Sequence, residues 1–239
     1  PPNTVAWEKT EAIGQALNHV LADPDRPARL TVLRRMQREK IPAPADRLEQ
    51  WLREERDPES VAAILLSQRD QAPGQVSGGL ARVIADKEHT LTNRLAALSL
   101  YATGLDVRGE AELFNLAHSI EDGPVLAEAI GHIAKRTQLK AGSFLVAKLD
   151  SPEPSVRKSA VEALAQLRVP AANEQIRRLL NDEDPRVRLA AISAAGALEI
   201  QSASTALLNI AQDADLTLQR ASLESLRLLN EERVVPLAV

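Results

Sequence analysis

Two columns of apolar residues recur along the chain at a shared spacing of about 31 to 33 residues. The first column is Leu33, Leu65, Leu98, Ile130, Val161, Ile192 and Leu223. The second, half a repeat further on, is Leu48, Leu80, Leu113, Leu145, Ile176 and Leu207. A fixed period in this range is typical of solenoids, whose units bury their apolar faces only against their neighbours. We therefore predict an all-α fold, an α-solenoid superhelix of about seven helical hairpins.

Each repeat is predicted to hold two helices, called A and B here, because apolar residues recur at helical spacing in both halves. The A helices are predicted to start near residues 27, 58, 90, 124, 154, 185 and 216. Several starts pair an acidic residue with proline, as in Asp184-Pro185, which suits an N-cap followed by the first helical position. A further helix is predicted over residues 4–21.

This layout predicts one solenoid domain over residues 1–239, with repeats from about 27 to 239. The chain starts at Pro1 and stops where the second helix of the last repeat should begin, so we interpret it as a fragment of a longer protein with a truncated last repeat. The second repeat is the most degenerate, because Gln68 occupies an otherwise apolar position. The residues predicted to be buried are Val161, Leu164, Ile176, Ile192, Leu207, Leu223, Tyr101 and Trp51.

Composition argues against several classes of function. The net charge is −4 with acids and bases interleaved, whereas a general nucleic-acid binder shows a basic face. Cysteine is absent, which excludes a disulfide framework, a thiolate zinc site and a cysteine nucleophile, and leaves the compartment open. The sequence shows neither an apolar run long enough to span a membrane nor a secretory signal.

Two segments resemble HEAT repeats, in particular the short bacterial variety named after phycobilisome lyases. They are Pro154-Ser155-Val156-Arg157-Lys158-Ser159-Ala160 and Asp184-Pro185-Arg186-Val187-Arg188-Leu189-Ala190-Ala191. The resemblance implies a right-handed superhelix, with A helices on the convex side and B helices lining a concave groove. Members of this family are mostly scaffolds that bind partner proteins.

The resemblance also implies a role for one arginine of helix A, which usually pairs with acidic residues of a neighbouring repeat. Arg29, Arg94, Arg157 and Arg188 match it, whereas Val61, Leu126 and Gln219 depart from it. The N-terminal half, with its degenerate repeats and the segment Asp25-Arg26-Pro27-Ala28-Arg29-Leu30, resembles HEAT segments of very large bacterial proteins. Those proteins combine such arrays with sugar-dehydrogenase-like propellers and c-type haem modules, but no Cys-x-x-Cys-His motif is present here.

Candidate chemical sites are few. The histidines are His19, His89, His118 and His132, and none precedes a glutamate as in the HEAT-like deoxyhypusine hydroxylases, so we interpret them as scattered surface residues. We predict no catalytic residue, no metal and no cofactor. The chain also lacks the basic groove of the HEAT-like DNA glycosylases, because the columns beside the B-helix core form no phosphate-binding stripe.

The best candidate for a binding surface lies beside the core of the B helices. Phe114, Val146 and Leu208 share one column, which is either an apolar ligand patch or packing between repeats, and Arg177 and Arg178 lie next to it. We predict a non-enzymatic scaffold that binds a partner protein or an adjacent domain through the concave B-helix surface. The partner-binding residues would be Phe114, Val146, Arg177 and Arg178. The alternatives are an enzyme-associated subunit, either a lyase-like chaperone or a HEAT segment of a large dehydrogenase or c-type haem protein, and a nucleic-acid-binding protein.

Overall fold

A computed structural model describes residues 7–69, 78–103, 105, 107–136, 140–212 and 214–232. Within these residues it contains fourteen α-helices and no strand, which confirms the predicted all-α solenoid class. The helices are α1 Trp7–Val20, α2 Arg26–Glu39, α3 Ala45–Glu54, α4 Pro58–Arg69, α5 Gly78–Ala85, α6 Leu91–Ala102, α7 Val107–Ala117, α8 Pro124–Ala134, α9 Gly142–Lys148, α10 Pro154–Gln166, α11 Asn173–Arg178, α12 Pro185–Ala197, α13 Ser204–Ile210 and α14 Leu216–Leu228.

The helices follow the predicted order of A and B elements. The A helices are α2, α4, α6, α8, α10, α12 and α14, and each starts within one residue of its predicted position. The B helices are α3, α5, α7, α9, α11 and α13, and α1 is the additional N-terminal helix. The predicted start of a seventh B helix, residues 234–239, lies outside the described residues, as do residues 4–6 of the first predicted helix.

The chain divides into two units, Pro1–Gly109 and Glu110–Val239. In the first unit, α1 packs on α2, α2 on α4 and α4 on α6, while the B helix α3 packs on α5. The two sequence columns form the core of this unit, since the side chains of Leu33, Leu48, Leu65, Leu80 and Leu98 are all buried. Trp51 and Tyr101 are also buried, as predicted.

In the second unit, the A helices α8, α10, α12 and α14 pack on one another in succession. The B helices α9, α11 and α13 pack on α10, α12 and α14 respectively. Five predicted core residues here are fully buried: Val161, Leu164, Ile176, Ile192 and Leu207. Leu223 is only partly buried, so that prediction is wrong. The reason is that no further A helix covers α14 among the described residues.

Helices α12 and α14 approach each other closely at a glycine. A Cβ atom on Gly196 would lie 2.8 Å from the Cα of Ser225, which is closer than carbon atoms can pack. The Ser225 hydroxyl donates a hydrogen bond of 2.8 Å to the carbonyl oxygen of Ile192, which links the two helices at the same place. Glycine at 196 therefore sets the separation between these A helices.

Four A helices each end in a turn of the same type, in which a residue other than glycine adopts a left-handed conformation. These residues are Lys40, Arg168, Glu199 and Asn230, with φ between 50° and 55°. In each turn the next N–H donates to the carbonyl five residues back, as from Ile200 to Ala195. This bond belongs to the Schellman motif, which satisfies carbonyls at a helix C-terminus.

Three arginines of the A-helix column bind neighbouring segments of the chain. Arg157 binds Asp182 with both Nε and Nη2, at 2.8 and 2.7 Å, as the family resemblance implies. Arg94 and Arg188 instead donate to the main-chain carbonyls of Ile84 and Asp182, each at 2.8 Å. Gln219 departs from the column in sequence, yet its side-chain amide donates to the Ala211 carbonyl at 3.1 Å.

Candidate functional site

The two phenylalanines of the chain lie together on neighbouring B helices of the second unit. Phe114 of α7 and Phe144 of α9 meet edge to face, with ring centroids 5.5 Å apart. The His118 ring lies 4.7 Å from that of Phe114 and 4.5 Å from that of Phe144. Both phenylalanines are half-buried and His118 is exposed, so this aromatic cluster of Phe114, His118 and Phe144 is accessible from outside.

The local sequence explains how the cluster forms. Phe114 directly follows the buried Leu113, and Phe144 directly precedes the buried Leu145. The two rings therefore flank the buried face from opposite sides of successive helices and meet between them. His118 lies one turn after Phe114, and its Nδ1 is 2.8 Å from the Phe114 carbonyl oxygen, which fixes the position of the imidazole.

A polar network borders the cluster through Lys148, whose Nζ lies 5.8 Å from the centroid of the Phe144 ring. This ammonium also donates to Oδ1 of Asp122 at 2.6 Å, and the Ser151 hydroxyl donates to the other carboxylate oxygen at 2.5 Å. Burial acts to raise the pKa of Asp122, but the hydrogen bonds from Lys148 and Ser151 hold it below the ordinary value. The carboxylate is thus ionised, and it ties the turn before α8 to the end of α9.

The predicted residues form two groups of contacts. Phe114 joins the aromatic cluster, and Val146 is half-buried on α9. Arg177 and Arg178 lie on α11, where both interact with Glu174. Arg177 binds this carboxylate with Nε and Nη2, at 3.0 and 2.7 Å, and the bonds raise the pKa of Arg177. Its charge is therefore balanced within α11.

Sequence reasoning missed Phe144 and His118. The column before the B-helix core holds Glu112 in α7 and Gln175 in α11, so a polar pattern concealed Phe144. The composition carried a usable signal, since both phenylalanines of a chain with 2% aromatic residues lie within 31 positions of each other.

The histidine prediction is wrong for two of the four residues. His89 is 5% exposed in the turn between α5 and α6, and the His132 side chain is 17% exposed on α8. Burial lowers the pKa of both, which favours the neutral ring.

Among the described residues, no group of three or more His, Asp or Glu side chains is placed to hold a metal ion. None of the described helices is both long enough and apolar enough to cross a membrane.

The family model for HEAT repeats matches residues 142–227, which contain α9 to α13 and most of α14. The predicted HEAT-repeat protein is thereby confirmed, and HEAT and armadillo repeats generally act as protein-interaction scaffolds and are typically non-catalytic.

One solved structure shares this fold. YibA of Escherichia coli superposes with a TM-score of 0.64 at 14% identity, covering 99% of this chain and 90% of YibA. A designed armadillo repeat protein, solved in complex with the peptide (KR)4, gives a TM-score of 0.48 at 19% identity, covering 90% of this chain and 98% of that one. At such identities the likeness to YibA shows a shared fold alone. Curated protein sequences give no significant match.

Proposed function

We propose that this chain is a non-enzymatic interaction module that binds a partner protein through the B-helix surface of its second unit. The observation that carries the proposal is the aromatic cluster of Phe114, His118 and Phe144, half-exposed on helices α7 and α9. Aromatic side chains are enriched in the centres of protein interfaces, where they supply large contact areas at low entropic cost. Here two of the five aromatic residues of the chain, both phenylalanines, lie together on one surface.

Arg177 and Arg178 would form the polar part of the same surface, with Val146 beside the aromatic cluster. Their pairs with Glu174 are exposed, and exposed ion pairs contribute little to stability. A carboxylate on a partner can therefore displace Glu174 at little cost. This predicts a larger contribution to affinity from the phenylalanines than from the arginines.

The non-enzymatic part of the proposal rests on the state of the ionisable groups in this region. Asp122 is ionised and held by two donors, and Glu174 is engaged by arginines. The pKa of each carboxylate is lowered on balance, whereas a general acid requires a raised pKa. Such a surface acts through shape and complementarity.

The test begins with photo-crosslinking, using a photoreactive residue at the exposed His118 position and a matched one at Lys158 on the A helix α10. A partner that is captured from position 118 is then measured against variants by calorimetry. We expect Phe114→Ala/Phe144→Ala to weaken binding at least tenfold, and Arg177→Glu/Arg178→Glu to weaken it less. Lys158→Glu should leave the affinity unchanged.

Circular dichroism of each variant separates loss of binding from loss of folding. A partner captured only from position 158, or an affinity that falls only in Lys158→Glu, would place the binding surface on the A helices and reject the proposal.

A further inference from the structure

A second surface, in the first unit, contains three arginines around one pocket. The pocket has a volume of about 370 Å3 and lies between the α1–α2 turn, the start of α2 and the outer face of α3. Arg26 and Arg29 of α2 and Arg47 of α3 line it, together with the indole of Trp51. None of these three guanidinium groups makes a hydrogen bond or an ion pair within 4.0 Å to the part of the chain that the structure describes.

Arg29 is held in a fixed position without a hydrogen-bond partner. Its guanidinium carbon lies 4.7 Å from the centroid of the Trp51 ring, in a cation–π contact. The indole is fixed in turn, because its Nε1 donates to the buried Glu55 carboxylate at 2.7 Å. The Nε of Arg29 is buried and has no acceptor among the described residues. A buried donor without an acceptor is costly, and a ligand oxygen would remove that cost.

The start of α2 lies at the same pocket, although Pro27 leaves it without one of its first N–H groups. Asp25 occupies the N-cap position, but its side chain makes no capping hydrogen bond. The first N–H groups of a helix lack intrahelical acceptors and favour a negative charge nearby. Pro24 and Arg26, on either side of Asp25, both line the pocket.

Acidic residues lie beside the arginines. Asp23 and Glu54 also line the pocket. Arg26 acts on the nearby carboxylates of Glu55 and Asp57 and helps to lower their pKa values, so the three guanidinium groups are not matched by hydrogen bonds but their charge is partly balanced. Oδ1 of Asp23 already accepts a hydrogen bond of 2.8 Å from the N–H of Asp25. Since the whole chain carries a net charge of −4, an anion would be attracted here by local geometry and not by the overall charge.

We infer that this pocket binds the phosphate group of a small molecule. A phosphate offers at least three acceptor oxygens, which suits three guanidinium groups that line one pocket, whereas one carboxylate is satisfied by a single arginine. Arg29 would donate through its buried Nε, and Arg26 and Arg47 would bind from either side. The volume leaves room for a small organic moiety next to the Trp51 ring and Leu21.

The experiment uses the full chain, with Trp7→Phe as background so that Trp51 is its single tryptophan. Inorganic phosphate is titrated at constant ionic strength, and both Trp51 fluorescence and the heat of binding are recorded. We expect a saturable signal that Arg29→Gln and Arg47→Gln each weaken at least tenfold. Arg29→Lys keeps the charge but loses the planar stack, so its loss should be intermediate.

Arg38→Gln is the matched control, because it removes the same charge from the far end of α2 and should leave the affinity unchanged. Arg47 is exposed, so its variant remains informative even if replacing Arg29 disturbs the fold. Absence of a saturable signal, or equal weakening by Arg38→Gln, would overturn the inference. Tighter binding of succinate than of phosphate would overturn the assignment to phosphate.

Discussion

The A helices α4 and α10 occupy the same place in the repeat but are anchored by different means. Arg157 of α10 binds Asp182, while the matching residue of α4 is Val61, which is fully buried. Three turns from the helix start, α10 has the fully buried Leu164, whereas α4 has Gln68. The Oε1 atom of Gln68 is buried and has no donor among the described residues.

Helix α4 obtains a polar link from its other neighbour. Gln37 of α2 donates from Nε2 to the Ala63 carbonyl and to the Ser67 hydroxyl, each at 2.7 Å. The repeat therefore tolerates a polar residue in an apolar column when a neighbouring helix supplies a different contact. Stability should then be uneven along the chain, because each unit of a repeat array depends mainly on its neighbours.

The largest effect is expected where the apolar column is complete. Leu164→Ala should lower the free energy of unfolding by about 4 kcal/mol, within the range for large-to-small changes in a packed core. Urea denaturation measures this loss. Leu66→Ala is the control on α4, and because that side chain is 50% exposed, its cost should be much smaller. Equal costs would show that the repeat register is misassigned.

The arginine anchor gives the next largest effect. Asp182→Ala should cost about 3 kcal/mol, because it leaves the Arg157 guanidinium largely buried without its carboxylate partner. Glu183→Ala is the matched control, since Glu183 lies 3.4 Å from the same guanidinium but is 83% exposed. Adding Arg157→Val, the arrangement of α4, should restore part of the loss. A loss that the double variant does not reduce would mean that the pair itself is not the cause.

Correcting the defect in α4 should have a smaller and opposite effect. Gln68→Leu removes a buried acceptor without a donor and restores the apolar column, so it should stabilise the chain by about 1 kcal/mol. Hydrogen exchange should also slow in α4 and α5.

In the unaltered chain we expect faster exchange over residues 68–80 than over 156–196, although 70–77 lie outside the described residues. Slower exchange over 68–80 would contradict the comparison.

The smallest effect is a dependence on pH in the first unit. Burial lowers the pKa of His89, opposed in part by Asp86, so the folded state binds fewer protons than the unfolded state. Stability should then rise with pH through the region just below 6.5 and level off above it. His89→Gln should flatten this rise between pH 5 and 7 in urea titrations, whereas the exposed His19→Gln should not. An unchanged slope in His89→Gln would show that this histidine is not responsible.

The sequence predicted the helices well because the apolar columns and the acidic starts act locally. The starts of α4, α8, α10, α12 and α14 fall at the predicted residues. It failed where a tertiary neighbour decides the outcome. The burial of His89 depends on how the α5–α6 turn packs, and the partial exposure of Leu223 depends on what covers α14. The repeat spacing of the sequence does not determine how deeply either side chain is buried.

The candidate surfaces were harder to predict than the fold. Phe114 was identified from its column, but its contact with Phe144 joins two different columns on adjacent helices. The left-handed turns at Arg168 and Glu199 were not anticipated either, because glycine is the usual sign of that conformation and is absent there. The arginine pocket of the first unit required the three-dimensional positions of α2 and α3.

The hydrogen bonds made by the arginine column affect how the stability of the chain should respond to salt. Arg94, Arg188 and Gln219 all bind main-chain carbonyl oxygens, and the neutral amide of Gln219 makes the same type of contact as the two guanidinium groups. Hydrogen bonds at contact distance to a neutral carbonyl are little affected by mobile ions, whereas interactions between separated exposed charges are screened. These junctions between helices should therefore keep most of their strength in concentrated electrolyte.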